Sequence, residues 1–123
     1  GACPEFAASY VLPKLAGHPK AAELLMLGRM FDAATAERLG LCNAVVPNSE
    51  VEAAARATAA ELVALPPNAV KVTKALMRRW PADRTREAMD HEAGFFMPML
   101  QQAEAREAFT AFAEKRAPDF SRF

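Results

Sequence analysis

The sequence is poor in the residues that build metal centres, disulfide frameworks and membrane spans. Among 123 residues there are two cysteines, two histidines, one tryptophan and one tyrosine. Cys3 and Cys42 lack metal-ligand spacing and are too few for a disulfide framework, so they read as reduced thiols of a cytosolic or organellar-matrix protein, with no metal site. An excess of one charge is also missing. Fifteen Lys and Arg balance fifteen Asp and Glu, so no overall field favours nucleic acid or an anionic membrane, and any anion site is local. No apolar run reaches bilayer-spanning length and the N-terminus lacks the basic-then-apolar pattern of a signal segment, so a soluble protein is expected.

What is present is alanine-rich. Hydrophobic residues make up 52% of the chain, but much of that is alanine, and bulk comes mainly from eight phenylalanines. The length suits one domain with a thin helical core. The opening GACPEF has no methionine and no lead-in strand, and reads as a chain that begins in mid-element.

Local signals predict mainly helices with one short strand. A first helix from about Pro4 or Phe6 to Leu15 breaks at Gly17-His18-Pro19, and KAAELLML follows to Gly28. Asp32 is placed to cap AATAERL, with Gly40 at its left-handed end. LCNAVVP, closed by Pro47, reads as the strand. Such a strand cannot satisfy its own backbone groups, and so implies sheet partners outside this chain.

Ser49 is expected to cap a helix with Val51, Ala55, Ala59 and Leu62 on one face; Asn68 caps the next, which carries Val70, Thr73, Met77 and Trp80. WPADR separates that helix from another bearing a stripe of Met89, Ala93, Phe96, Met97 and Leu100, which Pro98 kinks or ends. The last helix aligns Ala105, Ala108, Phe109 and Phe112 before EKRAPDFSRF. The organisation expected is a unit over residues 1–48 and a helical region over 49–123.

The residue that raises a chemical question is Glu5, a lone carboxylate behind Pro4 at the mouth of an apolar segment. Pro4 and Glu5 suit a first helical turn, where proline loses no hydrogen bond and an anion faces the positive end of the dipole. Ser9 and Tyr10 are candidates to line a pocket; His18 and His91 read as solvated side chains. Lys71, Lys74, Arg78 and Arg79 form a basic helical face, which is ordinarily a solvated one.

Read in order, PEFAASYVLPKLAG, AAELLMLGRMFDAATAERLGLCNAVVP, LPPNAVKVTK and FTAFAEKRAPDF resemble the enoyl-CoA hydratase/isomerase (crotonase) superfamily. The resemblance covers essentially the whole chain and is most specific between Ala22 and Pro47. It implies the C-terminal half of an α/β fold of ββα spiral turns, followed by the helical region that makes trimer contacts. The N-terminal half would be missing, and the assembly a homotrimer or dimer of trimers in a bacterial cytoplasm or a peroxisomal or mitochondrial matrix.

Hydratases of this family carry P-G-x-G-G-T where this chain has PEFAAS, and their two catalytic glutamates lie upstream. PE followed by small residues is similar to the isomerase branch, in which the glutamate at this point shuttles the proton. The resemblance thus makes Glu5 the catalytic base of an enoyl-CoA isomerase acting on an acyl-CoA substrate, with no cofactor beyond the coenzyme A of that substrate. The hydratase is the alternative, and a noncatalytic helical oligomerisation module the third reading. By the same resemblance Lys115 and Arg116 are the candidates for the coenzyme A phosphate, and Phe112, with Phe95 or Phe96, for its adenine.

Overall fold

Gly17 is the only residue between the first two helices, and its φ of 76° turns one back onto the other. A computed structural model describes residues 1–123. The elements are α1 (Ala8–Ala16), α2 (His18–Leu27), α3 (Ala33–Arg38), a 3₁₀ turn (Asn48–Glu50), α4 (Val51–Ala64), α5 (Pro67–Met99) and α6 (Ala103–Ala113). α1 packs against α2 and also against α5. No helix is long and apolar enough to cross a membrane.

The local signals for α3 hold. The Asp32 carboxylate accepts from the Thr35 N–H at 2.8 Å, and hydrogen bonding by Thr35, through its side chain and its backbone, holds the Asp32 pKa below the ordinary value. At the other end Gly40 stands at φ 72°, where Leu41 N–H donates to the Ala36 carbonyl and Gly40 N–H to that of Glu37, each at 2.9 Å. That pair of bonds satisfies two carbonyls left over at the helix end.

Four boundaries differ from expectation, each for a physical reason. LCNAVVP forms no strand. A strand exists by pairing, and no extended neighbour lies alongside these residues; Leu41 and Val45 remain exposed. α1 starts at Ala8, so Pro4 and Glu5 lie outside it. Ser49 and Asn68 do not cap: Ser49 lies in the 3₁₀ turn, and Pro67 takes the first position of α5, for which its fixed φ is preformed. Finally, WPADR does not interrupt the chain. α5 runs 33 residues through Pro81, because one proline removes a single backbone bond while the flanking alanines, lysines and arginines favour helix on both sides.

Only Ala7, Ala21, Ala105, Ala111 and Glu92 are buried. The phenylalanines of α6 are not core: Phe109 is 63% and Phe112 85% exposed, while Ala105 and Ala111 turn inward. Gly1 lies directly on α6, where a Cβ would come within 2.6 Å of the Glu104 carbonyl oxygen. α4 has no buried residue and α5 none but Glu92, so their apolar side chains, among them Leu62, Val72, Leu76 and Trp80, face outward.

Candidate functional site: a carboxylate beside an apolar cleft

The segment before α1 makes a tight turn. Ala8 N–H donates to the Glu5 carbonyl at 3.1 Å, and both central residues are left-handed, Phe6 at φ 60° and Ala7 at 59°. Neither is glycine. For L-residues that conformation costs roughly 1–2 kcal/mol each, so two in succession require compensation.

Compensation comes from Glu92, 85 residues away on α5. Its Oε2 accepts from the Ala7 N–H at 2.7 Å and its Oε1 from the Ser9 N–H at 2.9 Å and from the Ser9 hydroxyl. A carboxylate at the positive end of a helix, receiving three donors, forms charge-assisted bonds stronger than neutral ones. Glu92 is 6% exposed and takes part in none of the six ion pairs of the chain.

With these donors taken by Glu92, the Glu5 carboxylate is left outside the cap, exposed and free of any ion pair. Together with Phe6 it borders a cleft of about 160 Å³ whose other walls are Met89, Ala93, Phe96 and Met97. Those four positions share one face of α5, as the helical period dictates. The cleft therefore juxtaposes one carboxylate with five apolar side chains.

The other expected site residues are dispersed. Phe96 is half-buried in the wall of this cleft, which includes neither Phe112 nor Lys115. Phe112 and Lys115 lie together at the end of α6, both exposed, with Lys115 N–H donating to the Phe112 carbonyl at 3.2 Å. Arg116 is engaged elsewhere, with Glu107 and Glu114. Ser9 and Tyr10 border a groove with Asp83, Arg84, Arg86, Glu87 and Asp90, whose charges do not suit an acyl chain. His91 sets its ring edge-on to Phe95, centroids 5.2 Å apart. His18 is the exposed first residue of α2.

Sequence reasoning missed Glu92. A signal for it was present: Met89, Glu92 and Phe96 fall three and four residues apart, so a carboxylate interrupts an otherwise apolar stripe. A charge at a core-facing position calls for a partner.

Chemically, a carboxylate without an ion pair at the rim of an apolar cleft is able to accept or donate a proton. Residues 1–122 match the enoyl-CoA hydratase/isomerase family, and the chain belongs to it, within the crotonase superfamily. It is 34% identical over 121 residues to a probable enoyl-CoA hydratase of Mycobacterium bovis, covering 98% of this chain and 47% of that protein. An enoyl-CoA delta isomerase 2 of Rattus norvegicus is 28% identical over 116 residues, 94% of this chain and 30% of that one. Among solved structures, an enoyl-CoA hydratase/isomerase from Pseudoalteromonas atlantica superposes with a TM-score of 0.87 at 36% identity, over 98% of this chain and 49% of the other. The chain thus spans about half the length of the first relatives it matches.

Proposed function

We propose that the chain contributes the catalytic base and one wall of the acyl site to an enoyl-CoA isomerase, which moves a double bond from the β,γ to the α,β position of an acyl-CoA. The observation that carries this reading is Glu5, an uncommitted carboxylate on the rim of the cleft formed by Phe6, Met89, Ala93, Phe96 and Met97. Glu5 removes the α proton of the thioester, the electrons delocalise as a dienolate, and the same proton returns at the γ carbon. One carboxylate suffices because it ends each turnover in its starting state. The dienolate oxygen needs preorganised N–H donors, which we assign to the part of the family fold outside this chain; such donors commonly contribute a few kcal/mol.

Lys115 and Phe112, neighbouring and exposed at the end of α6, fit a cation and a ring for the phosphate and adenine of coenzyme A. The outward apolar faces of α4 and α5 fit contacts with the rest of the fold and with further copies, in a homotrimer or a dimer of trimers.

Hydratase is the second reading, favoured by the Mycobacterium bovis relative. The test is Glu5→Gln in the complete enzyme, assayed for both reactions. Isomerisation of a 3-enoyl-CoA is expected to fall by about 10²–10⁴-fold with binding retained. Undiminished isomerisation removes Glu5 from the mechanism, whereas an enzyme that hydrates 2-enoyl-CoA rapidly in both forms and does not isomerise is a hydratase. Absence of both activities in the unmutated complete protein leaves the noncatalytic module.

A further inference from the structure

We propose that Glu92 is the positioning residue for Glu5: by holding the left-handed Phe6–Ala7 turn, its carboxylate sets where the Glu5 side chain meets the apolar cleft. This inference rests on the reading of Glu5 as the base.

The turn cannot hold itself. Phe6 and Ala7 both stand in a conformation that L-residues disfavour, and the Ala7 N–H donates to no backbone carbonyl. Ala7 is fully buried in the folded chain, so its acceptor is Glu92 and not solvent. The bonds to Glu92 are the only side-chain hydrogen bonds between α1 and α5. They also carry geometric information. Met89, Ala93, Phe96 and Met97, which wall the cleft, flank Glu92 on the same helix. One rigid element therefore presents the wall and anchors the turn that bears the carboxylate, two residues from Ala7.

Packing alone does not account for Glu92. Burying a carboxylate without a counter-cation opposes folding unless every lone pair in use is satisfied, and an aliphatic residue would fill the stripe at no such cost. What an aliphatic residue cannot do is accept from Ala7 and Ser9 at once and thereby fix the turn.

The experiment compares the complete enzyme with its Glu92→Ala, Glu92→Gln and Glu5→Gln variants in 3-enoyl-CoA isomerisation, alongside backbone amide exchange. Glu92→Ala is expected to lower kcat by about 100-fold while KM stays within about threefold, the signature of a displaced base in an intact binding site. Protection of the Ala7 and Ser9 amides should be lost in the same variant and that of α2 and α6 kept. Glu92→Gln, which retains one acceptor oxygen, should recover part of the rate.

Wild-type kcat in Glu92→Ala, with Glu5→Gln inactive, overturns the role of Glu92 and leaves the base assignment standing. Full activity in Glu5→Gln overturns the base assignment, whatever Glu92 does. If Glu92→Ala does not fold, Glu92→Gln decides: kcat unchanged with Ala7 protection halved or lost refutes the proposal. An Ala7 amide that exchanges freely in the unmutated protein refutes it outright.

Discussion

Arg116 closes a two-pronged ion pair on Glu107, nine residues earlier, with Nη1 2.6 Å from Oε1 and Nη2 3.1 Å from Oε2. Glu107 Oε1 also accepts from the Asp119 N–H at 2.8 Å, so one carboxylate on α6 clasps the chain that follows it. Arg116 further contacts Glu114 through its Nε at 2.6 Å. The EKRAPDF ending is thus a structural fastener at Arg116 and Asp119, and within it Lys115 is left without an ion pair.

The clasp should open in acid. The Arg116 guanidinium, followed by the Asp119 amide, holds the Glu107 pKa down at about 2, against an ordinary 4.5. A pKa lowered in the folded state means that the contribution to stability is complete above about 4.5 and disappears as pH falls through the folded value near 2. Protection of the Asp119 amide, followed against pH, should decline in that window, and Glu107→Gln should abolish the pH dependence. A flat profile in the unmutated protein would show that the clasp contributes nothing.

The Phe6–Ala7 turn makes opposite demands on the residue at position 7. Ala7→Gly removes the left-handed cost of roughly 1–2 kcal/mol but also a buried methyl of about 0.8 kcal/mol, and adds about 0.5–1 kcal/mol of glycine chain entropy, so stability should stay within about 1 kcal/mol of wild type. Ala7→Val adds a β-branched side chain where φ is positive and no space is free, and should destabilise by about 2 kcal/mol or more. Denaturant midpoints of the complete protein check both. Equal midpoints for Val and Gly would mean that the turn is not left-handed.

Lys115 offers a test of its binding role against its backbone role. It stands at φ 56° one residue beyond Glu114, the C-cap of α6, where Arg116 N–H donates to the Ala111 carbonyl at 3.0 Å, an arrangement that favours glycine. Lys115→Gly is expected to stabilise by up to about 1 kcal/mol, the relieved left-handed cost of roughly 1–2 kcal/mol set against about 0.5–1 kcal/mol of extra glycine chain entropy. If the ammonium meets a phosphate of coenzyme A, the same variant should raise KM for an acyl-CoA several-fold and leave KM for the matching acyl-pantetheine thioester unchanged. Equal effects on both substrates exclude the phosphate contact.

The two sides of the cleft were each legible in the sequence, but not that they meet. Met89, Ala93, Phe96 and Met97 recur at helical spacing, and Glu5 stood out as a lone charge among small and apolar residues. The position of Glu5 relative to α1 was not legible. Pro4 and Glu5 carry good first-turn signals, yet the helix begins at Ala8, because Glu92 accepts from Ala7 and Ser9 and so sets the cap there. The left-handed turn had no local signal either, since neither Phe6 nor Ala7 is a residue that favours it.

By itself the sequence determined the family, the helical character and the caps of α3, because each rests on residues within a few positions of one another: the Asp32 carboxylate meets the Thr35 amide three residues on. Tertiary structure decided what depends on distant partners. LCNAVVP, with no neighbouring strand to pair with, stays irregular, and the phenylalanines of α6 point outward because the alanine face is the one that is covered. A carboxylate on α5 holds a turn 85 residues away, since only the packing of α1 on α5 brings an acceptor to the buried N–H of Ala7.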